Sequence, residues 1–414
     1  MIIARALLAC VCAAGFLAAC SSNDTAAPTS GTSSPTPTAG SAQTDAVRKV
    51  VQDTMDSAHL RAVIVRVSVD GQDVLTQAFG ESMTGVPATT DMRFRNGAVA
   101  ISYVATALLQ LVDEGTVRLD DKLSQWLPDI PYADRVTLGQ LAQMTSGYAD
   151  YVLGNQPFDD ALYADPFRAW TTDEILGYAL DKPLYYEPGT NWNYAHTNYV
   201  ILGLALGKIT GKPVDKLLQE EVLGPLGLDD TVASLTAEIP EPALHAFSSE
   251  RRAALQIPNG QSFYEESSFW NPSWTITHGA IQTTSIDDVH DSAIAIGTGK
   301  LLTPESYAAM TTTDLIGHSS DVPGCPTCHA NSFDYAYGLG IVHNGNWLVQ
   351  NPLFAGYAAA MGYLPSDKVA IAVAVTYDEA AFDAQGNYRN EADTLYHNIG
   401  AVLAPHDPPP GPVR

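Results

Sequence analysis

Few residues in this chain have the type and spacing that covalent chemistry needs. A hydroxyl becomes a nucleophile only with a base beside it, and one helical turn is the usual spacing. Neither Ser-x-x-Lys nor Gly-x-Ser-x-Gly occurs in the 414 residues. Tyr194-Ala195-His196 sets a phenol and an imidazole two residues apart. Ser102 stands within an apolar helical run, where a hydroxyl usually bonds its own backbone. Cys325-Pro326-Thr327-Cys328-His329 combines two thiols with an imidazole. In an oxidising compartment that pair forms a local disulfide most simply. Attachment of a c-type haem, or a metal site with His329 and His318, are the competing readings.

The elements that must position these groups can be read from periodicity. Val47, Val50, Val51, Thr54 and Met55 follow the spacing of an amphipathic helix. Ala62–Val69 and Asp73–Phe79 are β-rich runs joined at Asp70-Gly71-Gln72, a hairpin signal. Ala98–Glu114 is predicted as a helix stopped by Gly115. Further helices are expected from Thr137, whose hydroxyl can cap, and from about Thr172, with Asp173 and Glu174 in its first turn. Residues 231–268 show no period. Strands are expected at Ile341–His343, Asn346–Val349, Ala358–Leu364 and Val369–Thr376, with a type I′ turn at Asn344-Gly345. A last helix, Glu391–Leu403, precedes a proline-rich tail at 406–414.

Composition narrows the function. With 46 acidic and 21 basic side chains the formal charge is −25, and no Lys/Arg cluster offsets it, so nucleic-acid binding is excluded. Arg5 and the 14 apolar residues Ala6–Ala19 are too short to span a bilayer but suit a signal peptide. Leu17-Ala18-Ala19-Cys20 resembles the lipobox of bacterial lipoproteins, which implies cleavage after residue 19 and lipidation of Cys20. In Ser21–Thr44, 15 of 24 residues are Ser, Thr or Pro, and Asp24 is the only charge, so residues 20–44 are expected to be a disordered tether. Its reach is roughly 25–75 Å. The expected location is the extracytoplasmic face of a bacterial membrane.

Residues 92–102, Met-Arg-Phe-Arg-Asn-Gly-Ala-Val-Ala-Ile-Ser, resemble the nucleophile segment of the serine β-lactamase and penicillin-binding-protein family, in its class C-like branch. That branch includes D-alanyl-D-alanine carboxypeptidases and esterases. Leu111-Val112-Asp113-Glu114-Gly115, Leu119-Asp120-Asp121-Lys122-Leu123 and Thr145-Ser146-Gly147 continue the resemblance. Glu187-Pro188-Gly189, Thr197-Asn198-Tyr199, Pro225-Leu226-Gly227-Leu228 and Tyr337-Gly338-Leu339-Gly340 extend it in the family's order, across roughly residues 45–405. The implied fold is α+β and two-lobed. Both chain ends would build one antiparallel sheet with flanking helices (about 45–95 and 270–405), with a mostly helical lobe (about 96–269) inserted.

The same resemblance says what is missing. The family's Ser-x-x-Lys becomes Ala98-x-x-Ile101, which offers neither oxygen nor nitrogen. Its Tyr-x-Asn, a proton relay and a substrate-holding amide, becomes Tyr194-Ala195-His196. Its Lys-Thr-Gly or His-x-Gly becomes Gln350-Asn351-Pro352 when registered on Gly356-Tyr357. A rival register uses His343-Asn344-Gly345. The expected cleft residues are Tyr194, His196 and Asn351, with no catalytic residue, no cofactor and no metal. The reading is a lipid-anchored pseudoenzyme that binds a cell-wall peptide, another small molecule or a partner. The alternative is an active carboxypeptidase, β-lactamase or esterase with a nucleophile outside these motifs. A third reading is a haem or metal carrier built on Cys325, Cys328 and His329.

Overall fold

The computed structural model describes residues 39–411. The signal peptide, Cys20 and the tether as far as Thr38 lie outside the described residues, as do 412–414.

Helix α1 (Ala39–Ala58) starts within the segment expected to be tether. Thr44 explains the difference, because its hydroxyl donates to the Val74 carbonyl at 2.8 Å and ties the first turns to the neighbouring strand. Strands β1 (Leu60–Val69) and β2 (Gln72–Met83) form the expected hairpin. Asp70 and Gly71 both have positive φ, the I′ signature that suits strand twist. Helix α2 (Val99–Asp113) is buried almost all round, so it is an interior helix rather than an amphipathic one. The short helix Leu138–Ala142 is closed by a reciprocal box, Thr137 with Gln140, and Thr172–Leu176 by Thr171 with Glu174. Helix α3 (His196–Thr210) ends on Gly211 at φ 70°. Aperiodic residues 231–268 contain only two-residue strands and one 3₁₀ turn.

Helix α4 (Ile286–Gly297) leads to β3 (Val342–Asn344), β4 (Trp347–Gln350), β5 (Tyr357–Leu364), β6 (Val369–Tyr377) and helix α5 (Glu391–Leu403). The sheet order is Val86–Pro87, β2, β1, β6, β5, β4, β3, Ala336–Tyr337, with every pairing antiparallel. Both chain ends therefore build one sheet, and β1–β6 is the seam where they meet. Successive residues of β5 point to opposite faces: Gly362 lies against Tyr396 of α5, and Tyr363 against Gly297 of α4. Two covered faces account for the nearly unbroken apolar runs of β5 and β6.

Two sequence expectations shift at the carboxyl end. Asn344 pairs with Trp347, so the tight turn is Gly345-Asn346 rather than Asn344-Gly345. The Asn344 amide is buried and donates to the carbonyls of Asp334 and Pro410, at 2.8 and 3.0 Å. The proline-rich tail is consequently part of the body: His397 Nε2 also donates to Pro410 O at 3.0 Å, and Pro409 covers Gly400.

Gly340 packs between α2 and α3. Its φ is +73°, and a Cβ there would lie 2.4 Å from Ala105 Cβ and 2.7 Å from the Tyr199 hydroxyl. Gly340→Ala should cost about 2–4 kcal/mol, through strain and overpacking together. Urea unfolding at an unchanged m-value would measure it, and a midpoint equal to the parent's would show that the contact of Gly340 with α2 and α3 can widen freely.

Candidate functional site: the cleft at the head of helix α2

The start of α2 is fixed from two sides. Asn96 exchanges hydrogen bonds with Gln282: its amide donates to Gln282 Oε1 at 2.6 Å, and the Gln282 backbone N–H donates to Asn96 Oδ1 at 3.0 Å. Gly97 turns the chain at φ 50°, where a Cβ would come within 2.4 Å of Pro352 Cβ. Ala98 then occupies the N-cap with no side-chain cap bond. Its methyl group is half-buried, and Ile101, one turn on, is 1% exposed within the hydrophobic core.

Ser102 lies one turn beyond Ala98 and is fully buried. Its hydroxyl donates to Gly340 O at 2.6 Å and accepts from Gln350 Nε2 at 3.0 Å. Gln350 Nε2 also donates to Gly340 O at 2.8 Å. This three-membered knot puts Gln350 beside α2. His343, from the rival register, instead lines a separate cavity of about 340 Å³ with Tyr307, Thr311 and Phe333. Asn351 does not reach the cleft. Strand alternation turns it to the other face, where it donates to Asp393 of α5 at 3.0 Å.

The second wall is built at the start of α3. The Tyr194 and His196 rings stand perpendicular, with centroids 5.3 Å apart. Burial raises the Tyr194 phenol well above its usual range, and Tyr335 and Asp150 push the same way. An unassisted phenolate is therefore not available as a nucleophile. Sequence reasoning missed Asp150, whose side chain is 1% exposed. One oxygen accepts from the backbone N–H groups of His196 (3.0 Å) and Val152 (3.2 Å). The other accepts from Leu153 N (3.1 Å) and pairs with His196 Nδ1 at 3.0 Å. Asp150 follows Thr145-Ser146-Gly147 but lies 46 residues before His196, and no local pattern links the two.

The cysteine motif joins this wall. Cys325 and Cys328 are bonded at 2.08 Å, so neither sulfur is left as a thiolate ligand or a thioether donor to haem. Thr327 O accepts from Tyr194 N at 3.3 Å, and Pro326 packs against Gly154. His329 lies 6.3 Å from the Trp192 ring, centroid to centroid.

The beta-lactamase family profile matches residues 47–396. The chain belongs to the beta-lactamase family. It is 36% identical over 194 residues to penicillin-binding protein 4 of Amycolatopsis lactamdurans, which covers 45% of this chain and 47% of that one. To esterase EstB of Burkholderia gladioli it is 27% identical over 274 residues, covering 60% of this chain and 68% of the esterase. The D-amino acid amidase of Ochrobactrum anthropi SV3, solved with D-phenylalanine, superposes with a TM-score of 0.71 at 22% identity. That superposition covers 88% of this chain and 99% of the amidase, and the likeness is one of fold. The chain matches about half the length of the penicillin-binding relative.

In this beta-lactamase-family scaffold, Ala98 stands at the head of α2 with Ile101 buried one turn along. A lysine at position 101 would be buried among apolar side chains, and a single neutral serine hydroxyl at 98 would not replace the lost hydration of an ammonium group. Ala98→Ser with Ile101→Lys should therefore lower the melting temperature, by several kcal/mol of stability at pH 7. A buried lysine takes up its proton less readily in the folded state than in the unfolded one, so stability is lost below the unfolded pKa and recovered as pH rises toward about 10. Thermal melts at pH 7 and pH 9.5 measure both effects. A double variant that melts at or above the parent refutes the argument.

Proposed function

We propose that this beta-lactamase-family protein has lost covalent acyl transfer and acts at the cell envelope as a binding protein. In this reading Cys20 carries the lipid, the preceding residues are the removed signal peptide, and the cleft takes a peptide-like or cell-wall-derived ligand. The supporting observation is Ala98 at the head of α2, with Ile101 one turn along and the flanking elements in place. The other hydroxyls near that position do not replace it. Ser102 is buried with its hydrogen bonds committed, and the Tyr194 phenol is held protonated with no cation bonded to it among the described residues. In a different serine hydrolase, loss of the nucleophile costs on the order of 10⁶ in turnover.

Fluorescent-penicillin labelling tests the chemistry. The expected result is no adduct that survives denaturation, and a stable adduct overturns the reading. Fractionation of expressing cells tests the anchor. Cys20→Ala should move the protein from the membrane fraction to the soluble extracytoplasmic fraction, whereas retention in the membrane would exclude attachment at that residue.

A further inference from the structure

His196 is not held the way a structural histidine usually is. One ring nitrogen, Nδ1, faces a carboxylate buried beneath it, so the neutral imidazole carries its proton there. Nε2 then presents a lone pair. Among the described residues Nε2 has no protein hydrogen-bond partner, and it is not one of the buried unsatisfied atoms, so it is an accessible, open acceptor. The aromatic side chains around it are Tyr194 at 5.3 Å and Tyr151 at 6.0 Å between centroids, with Tyr337 6.4 Å beyond Tyr194.

The charges around this acceptor are one-sided. Asp150 lies directly behind it, and Asp159 is close enough for the Asp150 charge to help raise its carboxyl to about 6, after burial and Asp160. Among the described residues no Lys or Arg pairs with Asp150 or His196. Ile101 offers no nitrogen, and the Gln350 amide is committed to Ser102 and Gly340. An imidazole that donates at Nδ1 to a carboxylate behind it and offers Nε2 as an acceptor, with aromatic rings beside it, favours a cation with N–H donors.

We propose that His196, oriented by Asp150, recognises the ammonium group of a primary-amine ligand, such as a peptide or amino-acid amide with a free amino group. The inference rests on the binding-protein reading above and names its ligand class. His196 is the contact residue and Asp150 the positioning residue.

Calorimetric titration of the full chain with D-phenylalanine amide, and with 3-phenylpropanamide as the same ring and amide without the amino group, tests it. The amine-bearing probe should bind the parent at least about tenfold more tightly, the scale of one charge-assisted hydrogen bond. His196→Leu should abolish that preference while leaving binding of 3-phenylpropanamide unchanged. Asp150→Asn should weaken the preference and, in ¹⁵N spectra of the imidazole, move the proton from Nδ1 toward Nε2, which a merely structural role for Asp150 would not do. Equal affinity of the parent for the two probes overturns the proposal. So does no binding of the amine, an undiminished preference in His196→Leu, or a parent imidazole protonated at Nε2. A covalent penicillin adduct would instead remove the binding-protein reading itself, so the two failures are distinguishable.

Discussion

The cleft depends on how helix α2 is seated, and the Gly340 carbonyl is one of the buried contacts that seat it. Gly340 O accepts from both Ser102 and Gln350, joining the interior helix to the strand next to it in one hydrogen-bond knot. Each of these groups is buried, so leaving one unpaired would cost about 1–3 kcal/mol. The knot can form only because Gly340 lacks a Cβ, which lets the backbone lie against Ala105 and Tyr199. Pro352 then packs on Gly97 just before the helix. The position of Ala98 in the cleft is thus set by contacts that do not involve Ala98 at all.

The residues at 98 and 101 can then be weighed for what each contributes to stability. An alanine at the N-cap forgoes a capping bond worth roughly 1 kcal/mol. An isoleucine in the core returns more than that through buried area, roughly 1.5–3 kcal/mol relative to exposure. The same argument applies to Gln350, whose amide forms two neutral hydrogen bonds where a charged group would need a counter-ion or water. Ile101 is packed in the apolar core, and the Ser102 and Gln350 side chains have their hydrogen bonds made.

Much of the fold was legible because it is written in local signals. Asp70-Gly71 gives the hairpin, Gly115 stops α2, Thr137 caps its helix, and α5 has the bounds expected from its pattern. What was missed is non-local. The Asn344-Gly345 turn moved by one residue because the Asn344 amide is held by Asp334 and Pro410, the latter 66 residues away. Thr44 is helical because of a carbonyl in a strand 30 residues on. The candidate site divides the same way. Ala98 and Ile101 stand at the start of α2 with Gln350 bonded beside it, whereas Asn351, just past β4, turns to Asp393 of α5. Asp150 is invisible in a single sequence, since nothing near it announces a partner 46 residues later.

The wall bearing Tyr194 and His196 is as firmly braced as the floor, and its bracing comes from a part of the chain with no catalytic motif. The disulfide turn lies along it through Thr327 O and packs Pro326 on Gly154, while Asn191 exchanges hydrogen bonds with Ser320 at both its amide nitrogen and its oxygen. Asp150 adds four bonds, two of them to α3's first residue, where a carboxylate also complements the helix dipole. Acyl transfer needs such rigidity to position a leaving group, but recognition needs it as well. A side chain already held in its bound orientation loses no rotamer entropy when a ligand arrives, a saving of about 0.5–1.5 kcal/mol per residue. A braced wall is therefore coherent with the proposed binding role, because its side chains are already held in one orientation.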